Sequence, residues 1–164
     1  MNGVDLSALP NSLFDLVAAY SVLHHIPDYL GAVEELARVC KPGGVIVLDH
    51  ERTEQFWKGD AVYDQFKRAA SRFDWRKYLL PSNYIHKVRR LWNPRHTNEG
   101  DIHVWPDDHI EWPLIVELLV EKGFEVVVEE DYLVYHTLYH ADVFRHFQQL
   151  CSDTRLMIFR KFGS

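Results

Sequence analysis

An α/β fold built around parallel strands is the class this sequence predicts, on three observations. Phe14–Tyr20 (FDLVAAY) is an almost unbroken apolar run, the composition of a strand buried on both faces of a parallel sheet. Leu30, Val33, Leu36 and Ala37 then recur at helical spacing, with Glu34, Glu35 and Arg38 on the other side. Val45–Leu48 is a second apolar run of strand length, reached through Lys41-Pro42-Gly43-Gly44. Strand, helix and strand in this order form a crossover unit, which joins parallel neighbours.

Each boundary has a local cause. His24, His25 and Pro27 end the first strand, because Pro27 has no N–H for a ladder and holds its neighbour extended. Asp28 is the expected helix N-cap. Lys41 stands where a helix C-terminus favours a cation, and Pro42-Gly43-Gly44 stops the helix and turns the chain. Asp49-His50-Glu51 closes the second strand; adjacent residues of an extended chain point to opposite sides, so the three do not converge on one point. Val62, Phe66, Ala69, Ala70 and Phe73 mark an amphipathic helix over about residues 60–80, with Pro81 closing it. Residues 93–100 (NPRHTNEG) read as a loop. Asp107 or Asp108 caps the next helix, whose apolar residues are Ile110, Leu114, Ile115, Leu118 and Leu119 and whose end is Lys122-Gly123. Residues 124–130 read as a strand, 132–138 as strand-like, 141–150 as helical, and 154–162 as a short strand with a basic end.

A chain of 164 residues with 47% hydrophobic content and five Trp supports one packed core and excludes a disordered tract. No apolar run approaches the roughly 20 residues of a membrane span, and no basic-then-apolar leader opens the chain, so a cytoplasmic protein with no membrane partner is expected. Cys40 and Cys151 have no metal or redox spacing and read as reduced thiols. The net charge of −6 is uneven: residues 58–95 hold ten Lys or Arg against three Asp, while the remainder is strongly acidic. That window is either a solvated helix surface or a basic face turned to an anionic group; no nucleic-acid partner is expected, since the rest of the chain repels phosphate. Asp49 and Glu51, with His103, Asp107 and His109, have metal-ligating chemistry but fit no established metal spacing, and His136, His140 and His146 do not share one helix; no metal is expected.

At residues 5–49 the chain resembles the second half of a class I S-adenosylmethionine-dependent methyltransferase. The phrase that carries the resemblance is Leu9-Pro10, Phe14-Asp15-Leu16-Val17, Leu23-His24-His25-Ile26, Glu35, Arg38-Val39 and Lys41-Pro42-Gly43-Gly44, in this order and spacing. It covers about the first third of the chain. Residues 107–130 ("helix, then KGFEVV") and the closing strand resemble the same family's last helix and its sixth and seventh strands. The resemblance implies a partial Rossmann-like sheet, strands four to seven with the last antiparallel, helices on both faces and a helical insertion. It also implies a single truncated domain over residues 1–164, in which 53–105 is the insertion or lid. The family's glycine-rich loop and the acidic residue ending its second strand are expected upstream of Met1. The fourth strand's outer edge is then expected to be bare, so self-association or pairing with a missing N-terminal half follows.

The cofactor so implied is S-adenosylmethionine. Asp5 and Leu6 correspond to the segment whose Asp side chain and following backbone N–H meet adenine. Tyr20, Ser21 and His24 fall at the carboxyl end of the fourth strand, where ligands of such sheets sit, and His25 is the candidate catalytic base for an incoming hydroxyl or amine. Trp75, Tyr84, Trp92 and Trp105 are candidate walls of an acceptor site. The implied reaction is methyl transfer to O or N of a small acceptor, an anionic one if the basic window meets it. The alternative is a catalytically inactive assembly or binding module that keeps the scaffold for its edge and basic face, and a metal-dependent hydrolase is third.

Overall fold

The computed structural model describes residues 6–70 and 109–163. Their elements are β1 (Phe14–Tyr20), a 3-10 turn (Leu23–His25), α1 (Tyr29–Val39), β2 (Cys40–Arg52), α2 (Glu54–Lys58), α3 (Ala61–Ala70), α4 (Trp112–Glu121), β3 (Phe124–Tyr132), α5 (Ala141–Phe147) and β4 (Thr154–Lys161). The strands form one sheet in the order β1-β2-β4-β3. β1 and β2 run parallel, and β4 lies antiparallel to both β2 and β3. The crossover unit and the antiparallel closing strand read from the sequence are both present.

Alternation along the strands turns Val17 and Ala19 of β1, Ile46 and Leu48 of β2, and Met157 and Phe159 of β4 to one side, where each is buried. Helices α1 and α4 cover that side with Val33, Ala37, Trp112, Ile115 and Leu119. The opposite side is different. Leu16 and Tyr20 are 62% and 64% exposed, so β1 is buried on one face only and the expectation of burial on both is corrected. Among the described residues β1 is an edge strand with nothing packed over that side, which is why its continuous apolar run outlasts its burial.

Asp28 caps α1 as predicted, accepting from the Gly31 amide at 2.9 Å. The C-terminal cation is another residue than the one expected. Helix α1 ends at Val39, and Lys161 at the end of β4 donates to the carbonyls of Ala37 and Cys40 at 2.8 and 2.9 Å. Lys41 instead bonds Asp15 of β1 at 2.8 Å and holds that carboxyl below its ordinary range. Pro42-Gly43-Gly44 also does not end an element. It is a bulge inside β2, since Phe14 pairs with Cys40 while Leu16 pairs with Val45. Gly43 has φ +76°, and a Cβ on Gly44 would lie 2.9 Å from both Cys40 Sγ and the Lys41 carbonyl.

Further along, the α3 face is Tyr63, Phe66 and Ala70, with Ala69 exposed, because the helix is rotated toward α5. Its expected continuation to residue 80 lies outside the described residues. Helix α4 begins at Trp112 after Glu111, with Pro113 in its first turn, so Asp107 and Asp108 are not its cap. Gly123 at φ +80° ends it as expected. Residues 133–138 are not a strand: β3 stops at Tyr132, whose carbonyl receives the Asp153 amide. Gly44→Ala is expected to cost about 1–3 kcal/mol of stability through overpacking against backbone, read as a lowered urea midpoint with unchanged slope.

Candidate functional site at the carboxyl ends of the parallel strands

Near their carboxyl ends both parallel strands carry a residue with positive φ. Ser21, just after β1, has φ 51°, and His50, inside β2 at its register shift against β4, has φ 64°, a conformation costly for side chains with a Cβ and concentrated where function over-determines the backbone. The two are fastened across the sheet, since the Ser21 amide donates to the Asp49 carbonyl at 2.9 Å. Exposed Tyr20 stacks on the His50 ring, with centroids 4.9 Å apart and planes 20° from parallel. Asp49 turns its carboxylate back, accepting from the His50 amide at 2.7 Å and from the Tyr132 hydroxyl at 2.7 Å. Burial, and then the bond to Asp49, push the Tyr132 phenol well above its ordinary range.

The segment after β1 is fixed by one carboxylate. Glu51 is fully buried. Its Oε1 accepts from the amides of Val22 and Leu23, each at 2.8 Å, and its Oε2 lies 2.6 Å from His24 Nδ1. His25 is exposed, with its ring centroid 4.0 Å from that of His24. Buried Asp153 makes a second junction, receiving Arg52 at 2.7 Å, the Tyr63 hydroxyl at 3.1 Å, the Val134 amide at 3.0 Å and Thr154 Oγ1 at 3.1 Å. It ties α3 to the ends of β2 and β4, and burial beside it raises the Tyr63 phenol.

The structure thus gathers four of the sequence-predicted residues, Tyr20, Ser21, His24 and His25, at one edge. Leu6 is elsewhere: its carbonyl accepts from Arg38 near the end of α1, by the amino ends of the strands. Asp5, and the candidate acceptor walls Trp75, Tyr84, Trp92 and Trp105, lie outside the described residues. Beyond the carboxyl end of β2, a cavity of about 240 Å³ is lined by Glu54, Trp57, Lys58, His109, Glu111 and Pro113. Sequence reasoning named His109 only for its metal-ligating chemistry and missed Trp57 there, and Tyr132 in the Asp49 cluster, because no local pattern brings them in. Glu51, singled out in the sequence for its metal-ligating chemistry, is buried and bonded to backbone amides, which makes it a support. No group of three or more His, Cys, Asp or Glu among the described residues could hold a metal.

The sheet, in the order β1-β2-β4-β3 with β4 antiparallel, has the fold of part of a Rossmann-like methyltransferase domain. Residues 1–48 match the family described as a methyltransferase domain. Over 48 residues the chain is 44% identical to a demethylmenaquinone methyltransferase of Bacillus licheniformis, a match covering 29% of this chain and 21% of that protein. An S-adenosylmethionine-dependent methyltransferase structure from Mesorhizobium loti superposes with a TM-score of 0.52 at 16% identity, over 93% of this chain and 64% of the other. One from Methanosarcina mazei gives 0.51 at 14% identity, over 100% and 66%. The chain therefore spans a fifth of the curated relative it matches and about two thirds of these structures.

Absorbance titration is expected to show Tyr132 still neutral above the ordinary phenol value of about 10. Because its folded pKa is raised, the stability it contributes is complete below that pH and is lost as the pH climbs beyond it. Tyr132→Phe should remove about 1 kcal/mol and flatten that alkaline loss, measured by urea unfolding at pH 7 and above pH 10.

Proposed function

We propose that the chain contributes to methyl transfer from S-adenosylmethionine to an oxygen or nitrogen of a small acceptor. The observation that carries this is the edge just described, where the positive-φ residues Ser21, after β1, and His50, within β2, stand beside exposed Tyr20 and His25. Bound S-adenosylmethionine supplies an electrophilic methyl group. The chain's own part is to bind and align, and much of this displacement needs little beyond alignment. Tyr20, Ser21 and His24 stand beside the cofactor; Leu6, by the amino ends of the strands, is not part of this edge. His25, the exposed imidazole, takes the proton that an acceptor hydroxyl or amine gives up. The proposed lid, residues 53–105, lies within the described residues only as far as Ala70.

The cavity beside Trp57 has two carboxylates against one lysine, and that lysine is paired with Glu54 at 3.2 Å. An anionic acceptor therefore needs the basic residues beyond Ala70 rather than this cavity. The bare edge and exposed Leu16 of β1 favour a companion that continues the sheet, either a second copy or a polypeptide carrying the remaining strands. An inactive module built on the same edge is the reading to be separated from this one. No helix among the described residues is long and apolar enough to cross a membrane.

Calorimetric titration of S-adenosylhomocysteine into the purified chain tests the reading. Saturable micromolar binding, weakened by Ser21→Trp, is expected. Heats no larger than dilution, with or without a companion chain, would leave the inactive module in its place.

A further inference from the structure

We infer that Glu51 is the positioning residue of this edge: it fixes the 21–25 segment and sets the His24 proton on Nδ1, and through His24 it aims His25. The inference rests on the methyl-transfer reading for what the segment is positioned to meet. A strand residue wholly buried beside Leu48 and Thr53 would ordinarily be apolar, since a carboxylate there is costly unless it is fully bonded. Glu51 is fully bonded. Its Oε1 takes the amides of Val22 and Leu23, the two donors that open the 3-10 turn and have no partner within it. A carboxylate oxygen only accepts, so in the 2.6 Å contact from Oε2 to His24 Nδ1 the imidazole nitrogen is the donor.

Three consequences follow. The backbone at residues 22 and 23 is tied to β2 across 28 or 29 positions of sequence. The His24 ring cannot rotate, as it is held at Nδ1 with its side chain only 9% exposed. His25, packed against that fixed ring, is left to face outward. None of this needs Glu51 to touch substrate or cofactor.

The test compares Glu51→Gln with Asp153→Asn, a second buried carboxylate at the same end of the sheet but outside this segment. A glutamine amide has one accepting oxygen and one donating nitrogen where the carboxylate has two acceptors, so one contact turns repulsive. Glu51→Gln is expected to weaken S-adenosylhomocysteine binding by about tenfold or more, the value of a lost bond to a charged group. With its nitrogen toward the backbone the amide removes hydrogen-exchange protection at Val22 and Leu23, and with its nitrogen toward His24 it abolishes the Nδ1–H signal in nitrogen-15 spectra, while β2 and β4 amides stay protected. Asp153→Asn should lower the melting temperature yet leave affinity and the His24 tautomer as they are. An affinity within about twofold of the unsubstituted chain, or equal losses in both variants, overturns the positioning role. If the unsubstituted chain binds no S-adenosylhomocysteine, the methyl-transfer reading falls. The exchange and tautomer measurements then decide the Glu51 role alone: loss of either in Glu51→Gln upholds it, and no change in both overturns it.

Discussion

The parallel pairing of β1 with β2 is the constraint on which the molecule depends, and a single buried carboxylate closes it at the functional end. Along most of its length that pairing is ordinary ladder and apolar packing, with Val17, Ala19, Ile46 and Leu48 turned toward α1 and α4. At the carboxyl ends the chain after Tyr20 is held by two anchors, one apolar and one polar. Leu23 is buried in the core, and Glu51 gathers the donors of residues 22, 23 and 24. The amino ends are held differently, by the Lys41–Asp15 pair, by Gly44 pressed against backbone, and by Lys161 on the α1 carbonyls. Both ends are held by charged groups, with the close fit of Gly44 added at the amino end and two backbone amides gathered by Glu51 at the carboxyl end.

Much of the fold was legible because its signals are local. Phe14–Tyr20 is a strand with the bounds its composition suggested, Asp28 is a cap, and Gly123 ends a helix. What was not legible depends on partners far away in the chain. Lys41 and Lys161 both follow apolar segments, and sequence spacing favours the nearer one; the sheet brings the farther one onto the helix end. The double glycine looks like a turn from its composition, but the register shows a bulge. Tyr132 looks like the start of another strand, yet its hydroxyl is committed to Asp49 across 83 residues.

The candidate site was readable to the same extent. The resemblance to methyltransferases pointed to the residues after β1, and the structure groups Tyr20, Ser21, His24 and His25 there. It could not distinguish a carboxylate that lines a pocket from one that supports a loop, because burial of Glu51 follows from how the 3-10 turn folds back over β2. The division matters for chemistry. His24 is held from behind and His25 is presented, so two adjacent imidazoles have different surroundings and different parts to play.

Ligand binding at the edge formed by Ser21 and His50 is the claim that everything above leads to. A crystal structure of the chain, alone or with its companion, soaked with S-adenosylhomocysteine tests it most directly. The thioether is expected beside Ser21 and the His24–His25 pair, with Glu51 buried beneath and making no contact to the ligand. Ligand density at the amino ends of β1 and β2, or Glu51 swung out to meet the ligand, would contradict it.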